Sequence, residues 1–231
     1  YKMYLGTFFV PGLVLIQICL LFRGQKKRRK KTASAVAVLM VFILSCTGCA
    51  GIEPEKRMYP LAMGVDVSEG EYILTYAMPD LPRATGQGKE EEDGNQTLQV
   101  RGKSFEGIKS RYERSQEKYL DIGHLQILIL SQDLTETDMW KDFFEYLRKE
   151  PLAGENIYVF QTQEPEKLLG WKEGGTSVGE YITGLMENRM DREQKNGVTL
   201  RQVYYQWYQN GTLKKLPKIT LSEDQIQVWL E

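Results

Sequence analysis

The sequence predicts an α+β domain: a mixed β-sheet with packed helices, preceded by one or two membrane-spanning helices. Three observations carry this. Two neighbouring segments alternate apolar and polar residues with period two and are split by a tight turn, which reads as an antiparallel hairpin. Further on, a nearly all-apolar segment, a helical stripe and a second apolar segment follow one another, which reads as a strand-helix-strand unit. Ahead of both lie two long apolar runs separated by a dense basic cluster.

Residues 4–22 (YLGTFFVPGLVLIQICLLF) carry no charge and are long enough to cross the hydrocarbon layer as a helix. Pro11 and Gly12 would kink it, which membrane helices tolerate. RGQKKRRKK at residues 23–31 then marks a cytoplasmic flank. A second apolar run, residues 33–48 (ASAVAVLMVFILSCTG), ends in small residues and a cysteine. Basic region, short apolar region, small residues, then Cys is a secretory signal layout of the lipoprotein type. Cys49, preceded by Thr47-Gly48, is the favoured lipidation site. Cys46, preceded by Ile43-Leu44-Ser45, is the alternative, and an uncleaved second span is the other outcome. With the basic loop inside, everything beyond Cys49 is expected outside.

The formal net charge of -1 hides an asymmetry. The first 31 residues hold eight basic and no acidic side chains, so the remaining chain is acidic by nine. A nucleic-acid binder would carry its basic surplus on the folded part, so none is expected as a partner. The three cysteines all precede residue 50, which excludes a disulfide or a cysteine zinc site beyond it. The single histidine, His124, excludes a histidine-rich metal site, and no cofactor is expected. About 180 residues follow Cys49, enough for a core without covalent staples.

In chain order, Leu61, Met63, Val65 and Val67 form the first alternating strand. Ser68-Glu69-Gly70 supplies the turn, and Tyr72, Leu74, Tyr76 and Met78 form the second strand. Residues 83–96 (RATGQGKEEEDGNQ) read as a Gly-rich acidic loop, and residues 97–103 as a further strand. Ser104 can cap a helix running to Lys118 with Phe105, Ile108 and Tyr112 on one face. Residues 124–130 (HLQILIL) suit a central strand buried on both faces. Thr135-x-x-Asp138 is the pattern of a capping box for a helix whose Trp140, Phe143, Phe144 and Leu147 form a buried stripe. Ile157 to Phe160 gives the next strand, parallel to the last by a crossover expected to be right-handed. Two more capped helices follow. One opens at Ser177-x-x-Glu180 and presents Val178, Ile182 and Leu185; the other opens at Thr199-x-x-Gln202 and presents Leu200, Val203, Tyr204 and Trp207. Aromatics at the spacing of that last helix signify core packing rather than a ligand box. Residues 225–230 look like a strand left without a partner, so residues 216–231 are expected to open a truncated second domain after a first one spanning 50–215.

Catalytic signals are sparse. The sequence has no Gly-rich phosphate loop, no nucleophile elbow and no paired metal motif. Asp121-Ile122-Gly123-His124 is the one suspect, since a His–Asp pair can act as a general base. Without a nucleophile in context, the expected role of this pair is structural, and the chain is expected not to be an enzyme. An extracytoplasmic enzyme using His124 and Asp121, or a solute-binding lipoprotein, is the competing class.

The order of these features resembles the Ger(x)C spore germination lipoproteins, the third subunit of nutrient germinant receptors. Thr47-Gly48-Cys49 is followed by the strand LAMGVD at residues 61–66, then by YILTYAMPDLP at residues 72–82. GHLQILIL at residues 123–130 is similar to the family's Gly-His-Leu strand. FEYLRKEP at residues 144–151 is similar to its Arg-acidic segment, and LPKI at residues 216–219 to the start of its second domain. Ala50-Gly51 stands where the family has Trp-Asp, and the acidic loop around Glu90 looks like an insertion. The resemblance implies a non-enzymatic lipoprotein, lipid-anchored or held by transmembrane helices on the outer face of the spore inner membrane. Its partners would be a permease-like subunit, a second membrane subunit and the lipid membrane. A nutrient ligand need not be bound by this subunit. Residues 1–31 themselves resemble the closing helix and basic tail of the permease-like subunit, as a gene fusion or read-through would produce.

Overall fold

The computed structural model describes residues 53–79, 97–171, 176–188 and 197–229, together with Met40. The chain divides into two units, Tyr1–Ile52 and Glu53–Glu231. Apart from Met40, both expected spans and both candidate lipidation cysteines fall in the first, outside the described residues; the acidic loop at 83–96, in the second, also lies outside them. Among the described residues no helix is long and apolar enough to cross a membrane.

The fold is α+β, built on a seven-stranded mixed sheet. Its strands are β2 (Ala62–Ser68), β3 (Glu71–Ala77), β4 (Thr97–Gly102), β6 (Ile127–Ser131), β7 (Tyr158–Thr162), β8 (Lys218–Ser222) and β9 (Gln225–Trp229), in the order β4-β3-β2-β6-β7-β8-β9. A separate parallel pair joins β1 (Arg57–Met58) to β5 (Tyr119–Leu120). The six helices of the described residues are α1 (Phe105–Ser115), α2 (Gln132–Glu136), α3 (Met139–Lys149), α4 (Pro165–Leu169), α5 (Val178–Glu187) and α6 (Leu200–Asn210).

The β2–β3 hairpin forms as its alternation predicts, in register from Ala62↔Ala77 to Ser68↔Glu71. Its two-residue turn places Glu69 at φ 52° and Gly70 at φ 74°. Positive φ at both central positions matches the right-handed twist of the flanking strands. β6 lies at the middle of the sheet, parallel to β2 and β7, with all five residues buried. That is why its sequence shows no alternation: helices cover both of its faces. On one face, Met63, Val65, Leu74, Leu128 and Val159 pack against α1, α3 and α6. On the other, Ala62, Ile129, Phe160 and Ile219 pack against α4 and α5.

Four local expectations are corrected. The strand expected over 124–130 begins at Ile127, because Asp121 caps a 3₁₀ turn at Ile122–His124 and the Leu125 N–H returns to the Ile122 carbonyl. The helix expected to reach Lys118 stops at Ser115. There the Tyr112 carbonyl accepts from the Gln116 N–H, and the Tyr112 hydroxyl draws the Lys118 carbonyl back at 2.8 Å. Thr135 and Asp138 do not form a capping box. Thr135 lies inside α2, which Ser131 caps through the Leu134 N–H, and Asp138 precedes α3 without a side-chain cap. Of residues 225–230, expected to lack a partner, Gln225–Trp229 pair as β9 antiparallel with β8, which joins β7 at Gln161↔Lys218. The Trp171 indole N–H fastens that hairpin by donating to the Asp224 carbonyl at 2.7 Å.

The other helices follow their patterns. Ser177 and Glu180 form a reciprocal capping box on α5, and Gln202 accepts from the Thr199 N–H ahead of α6. Val178 and Ile182 are buried as expected, although the third buried apolar residue of α5 is Met186 rather than Leu185. Leu200 and Val203 are buried on α6, with Tyr204 and Trp207 packed partly exposed against the core.

Candidate functional site

Asp121 enters the structure through backbone pairing. β1 and β5 align Met58 with Leu120, and the Asp121 N–H continues the ladder to the Met58 carbonyl at 2.9 Å. This leaves the Asp121 side chain 6 % exposed. One oxygen accepts from Arg57 Nη1 at 2.5 Å and the other from the Gly123 N–H at 2.9 Å. Burial by itself would raise its pKa, but the Gly123 N–H and the Arg57 guanidinium outweigh burial and hold it below the usual carboxylate range.

The predicted pair is therefore close in space but not coupled as a catalytic dyad. His124 is exposed, at the end of the 3₁₀ turn, with its ring edge-on to Tyr59 at 4.8 Å between centroids. Among the described residues no hydrogen bond joins His124 to Asp121, and no three His, Cys, Asp or Glu side chains gather as a metal site. Asp121 acts as a clasp, fixing the segment 116–122 against β1.

That clasp has a stability signature. Because the Asp121 pKa is depressed in the folded state, its contribution is full above the ordinary carboxylate value near about 4 and is lost as pH falls through the lower folded value. Asp121→Asn is expected to lower the urea midpoint at pH 6, and the gap to the parent protein should close as pH falls through the lowered folded-state value. A gap that stays constant across this interval would remove the charge from the explanation.

The clasped segment walls a cavity of about 260 Å³. Ile108 and Tyr112 of α1, Tyr146, Leu147 and Glu150 at the end of α3, and Leu120 and Ile122 of the clasped strap line it, over a floor of Met63 and Tyr76 from the sheet. Burial raises the phenols of Tyr76, Tyr112 and Tyr146; Glu150 adds to the effect on Tyr146, as do Tyr146, Tyr112 and Glu150 on Tyr76. Lys109 and Glu150, both on the cavity wall, form an ion pair at 3.6 Å, and Glu113, Glu117 and Lys118 line it as well. A second hollow, of about 330 Å³, lies between β7, β8 and α4, but polar groups along it engage one another or their neighbours: Gln161 donates to Thr135, and Lys167 pairs with Glu164.

Sequence reasoning placed Asp121 and His124 side by side and missed the cavity. Tyr76 reads as one position of an alternating strand, Tyr112 as one of a helical stripe, and Tyr146 as an aromatic among several. Only the tertiary fold brings them together.

The fold and site define a mixed-sheet α+β module with a clasped side cavity and no assembled catalytic dyad at Asp121 and His124. Residues 51–221 match the spore germination protein N-terminal domain, and the chain belongs to that family, which places it in spore germination. Neither the curated proteins nor the solved structures yielded a match.

Proposed function

We propose that this chain is a non-enzymatic, membrane-tethered subunit of a spore nutrient germinant receptor, held at the outer face of the spore inner membrane beside a permease-like and a second membrane subunit. The family match over residues 51–221 carries the reading. Cys49, preceded by Thr47-Gly48, is the residue proposed to carry the lipid, with Cys46 as the alternative. The engagement of both Asp121 oxygens by Arg57 and Gly123 supports a role without catalysis.

The test is a spore strain lacking the gene, complemented with the parent allele, Cys49→Ala or His124→Ala, and scored for germination in nutrient mixtures. The deletion is expected to abolish the response to at least one nutrient. His124→Ala should restore it fully, since this exposed side chain carries no chemistry in the proposal. Cys49→Ala should lose the lipid mass from the extracted protein and weaken restoration. Unchanged germination of the deletion strain with every nutrient would sink the receptor reading. Failure of stably present His124→Ala protein would revive the enzyme.

A further inference from the structure

α6 buries one face and turns another outward. Leu200 and Val203 are buried, and Tyr204 and Trp207 rest partly exposed against the core. Arg201, Tyr205 and Tyr208 stand at i, i+4 and i+7, one above the other on the outer face. Tyr205 is 65 % exposed and Tyr208 59 %, the most exposed large hydrophobic side chains among the described residues. Tyr208 is nevertheless held in place, with its ring stacked on Trp207 at 5.3 Å between centroids and on Tyr204 at 6.4 Å. A ring fixed before it binds loses little freedom on docking. Charge singles out the same stretch. Residues 197–222 hold four basic side chains, Arg201, Lys214, Lys215 and Lys218, and no acidic one, in a chain that is acidic by nine beyond residue 31. Two carboxylates approach α6 from other elements, and arginines hold both: Arg148 pairs with Glu145 at 3.1 Å and Arg201 with Glu155 at 3.2 Å. Lys214 and Lys215 add to these pairs from the segment that follows the left-handed cap Gly211.

We propose that the outer face of α6, together with Lys214 and Lys215, docks on anionic lipid headgroups. The inference rests on the membrane tethering proposed above and names the surface that the tethered domain lays on the bilayer. Tyrosine suits the headgroup layer because its ring is apolar while its hydroxyl still meets water. Lysine suits it as well, laying its stem along apolar surface and carrying its ammonium group to the phosphates. Composition favours lipid over a protein partner. The exposed side of α6 sets Gln202 and Gln209 beside the tyrosines and carries no aliphatic side chain, and lysine is depleted at protein interfaces. Each lysine near an anionic surface strengthens binding about fivefold. A tether keeps the bilayer at high effective concentration, so a face of modest affinity stays docked.

The test reconstitutes the full chain in nanodiscs of phosphatidylcholine alone or in equal parts with phosphatidylglycerol. Hydroxyl-radical footprinting then reads the oxidation rate of each aromatic side chain by mass spectrometry. Tyr205 and Tyr208 should oxidise about fivefold more slowly in the anionic discs, while Trp229, 54 % exposed on β9, keeps its rate. The double variant Lys214→Gln, Lys215→Gln should return both tyrosines to their neutral-disc rates. Equal rates for the parent protein in the two discs would overturn the proposal without any variant. Equal slowing of Trp229 would mark shielding of the whole domain and overturn the assignment to α6. Protection found only in native membranes, and not in anionic discs, would assign the face to a protein partner and overturn the lipid. Retention of the chain in neutral discs reads the tether separately. If the chain is not retained, it is footprinted with added phosphatidylglycerol vesicles, and unslowed tyrosines there would still overturn the docking face.

Discussion

Phe144→Ala is expected to remove about 3–5 kcal/mol of unfolding free energy, the range for deleting a buried aromatic side chain. A domain of this kind holds only about 5–15 kcal/mol in total, so the substitution threatens the fold itself. Phe144 is fully buried on α3. Its ring meets Phe143 at 5.3 Å and Tyr204 of α6 at 5.9 Å, the latter edge-on at 77°. Removing it opens a void between α3 and α6, although Trp140 against Trp207 still joins the two helices at 5.4 Å. Tyr208, 59 % exposed on α6, is the matched comparison, and Tyr208→Ala should cost less than about 1 kcal/mol. Urea denaturation read by far-ultraviolet circular dichroism distinguishes the two: the midpoint should fall steeply for Phe144→Ala with little change in slope. A near-neutral Phe144→Ala would mean that α3 collapses onto the cavity it leaves.

The large elements were legible because each rests on a local rule. Alternation over β2 and β3, the uninterrupted apolar run of β6 and the 0, 3, 4, 7 stripe of Trp140, Phe143, Phe144 and Leu147 each state one face or two faces buried. Boundaries were less legible, because side chains of either sign compete for the same backbone groups. Thr135 illustrates this: the pattern offers it to the Asp138 end of a capping box, whereas its hydroxyl donates to the Gln132 carbonyl and accepts from Gln161, 26 residues away. His124 failed in the same way, drawn from the strand by the Asp121 cap two residues before Gly123. The cavity was not legible at all. Its hydroxyls and its ion pair come from β3, α1 and α3, and no spacing in the chain announces that they meet.

Close approach of backbone to backbone is the other property that a linear pattern conceals, and two glycines of α5 separate it from helix propensity. Replacing a helical glycine by alanine ordinarily adds about 1 kcal/mol of stability. At Gly184 nothing lies within 4 Å of the added carbon, so Gly184→Ala should show that gain. At Gly179 the same carbon would stand 2.7 Å from the Leu61 Cβ, 3.0 Å from the Leu61 carbonyl carbon and 3.3 Å from the Ala62 nitrogen. Two of these are main-chain atoms at the head of β2, where the Leu61 carbonyl accepts from both Gln126 and Ile127 N–H groups. They cannot move aside without disturbing the β2–β6 junction. Overpacking of this kind costs about 1–3 kcal/mol, which outweighs the propensity gain, so Gly179→Ala should lower stability while Gly184→Ala raises it. Thermal unfolding of the two variants beside the parent protein reads the sign directly. Opposite shifts would show that α5 is seated by main-chain contact with β2, and a stabilising Gly179→Ala would show that the helix can lift from the sheet.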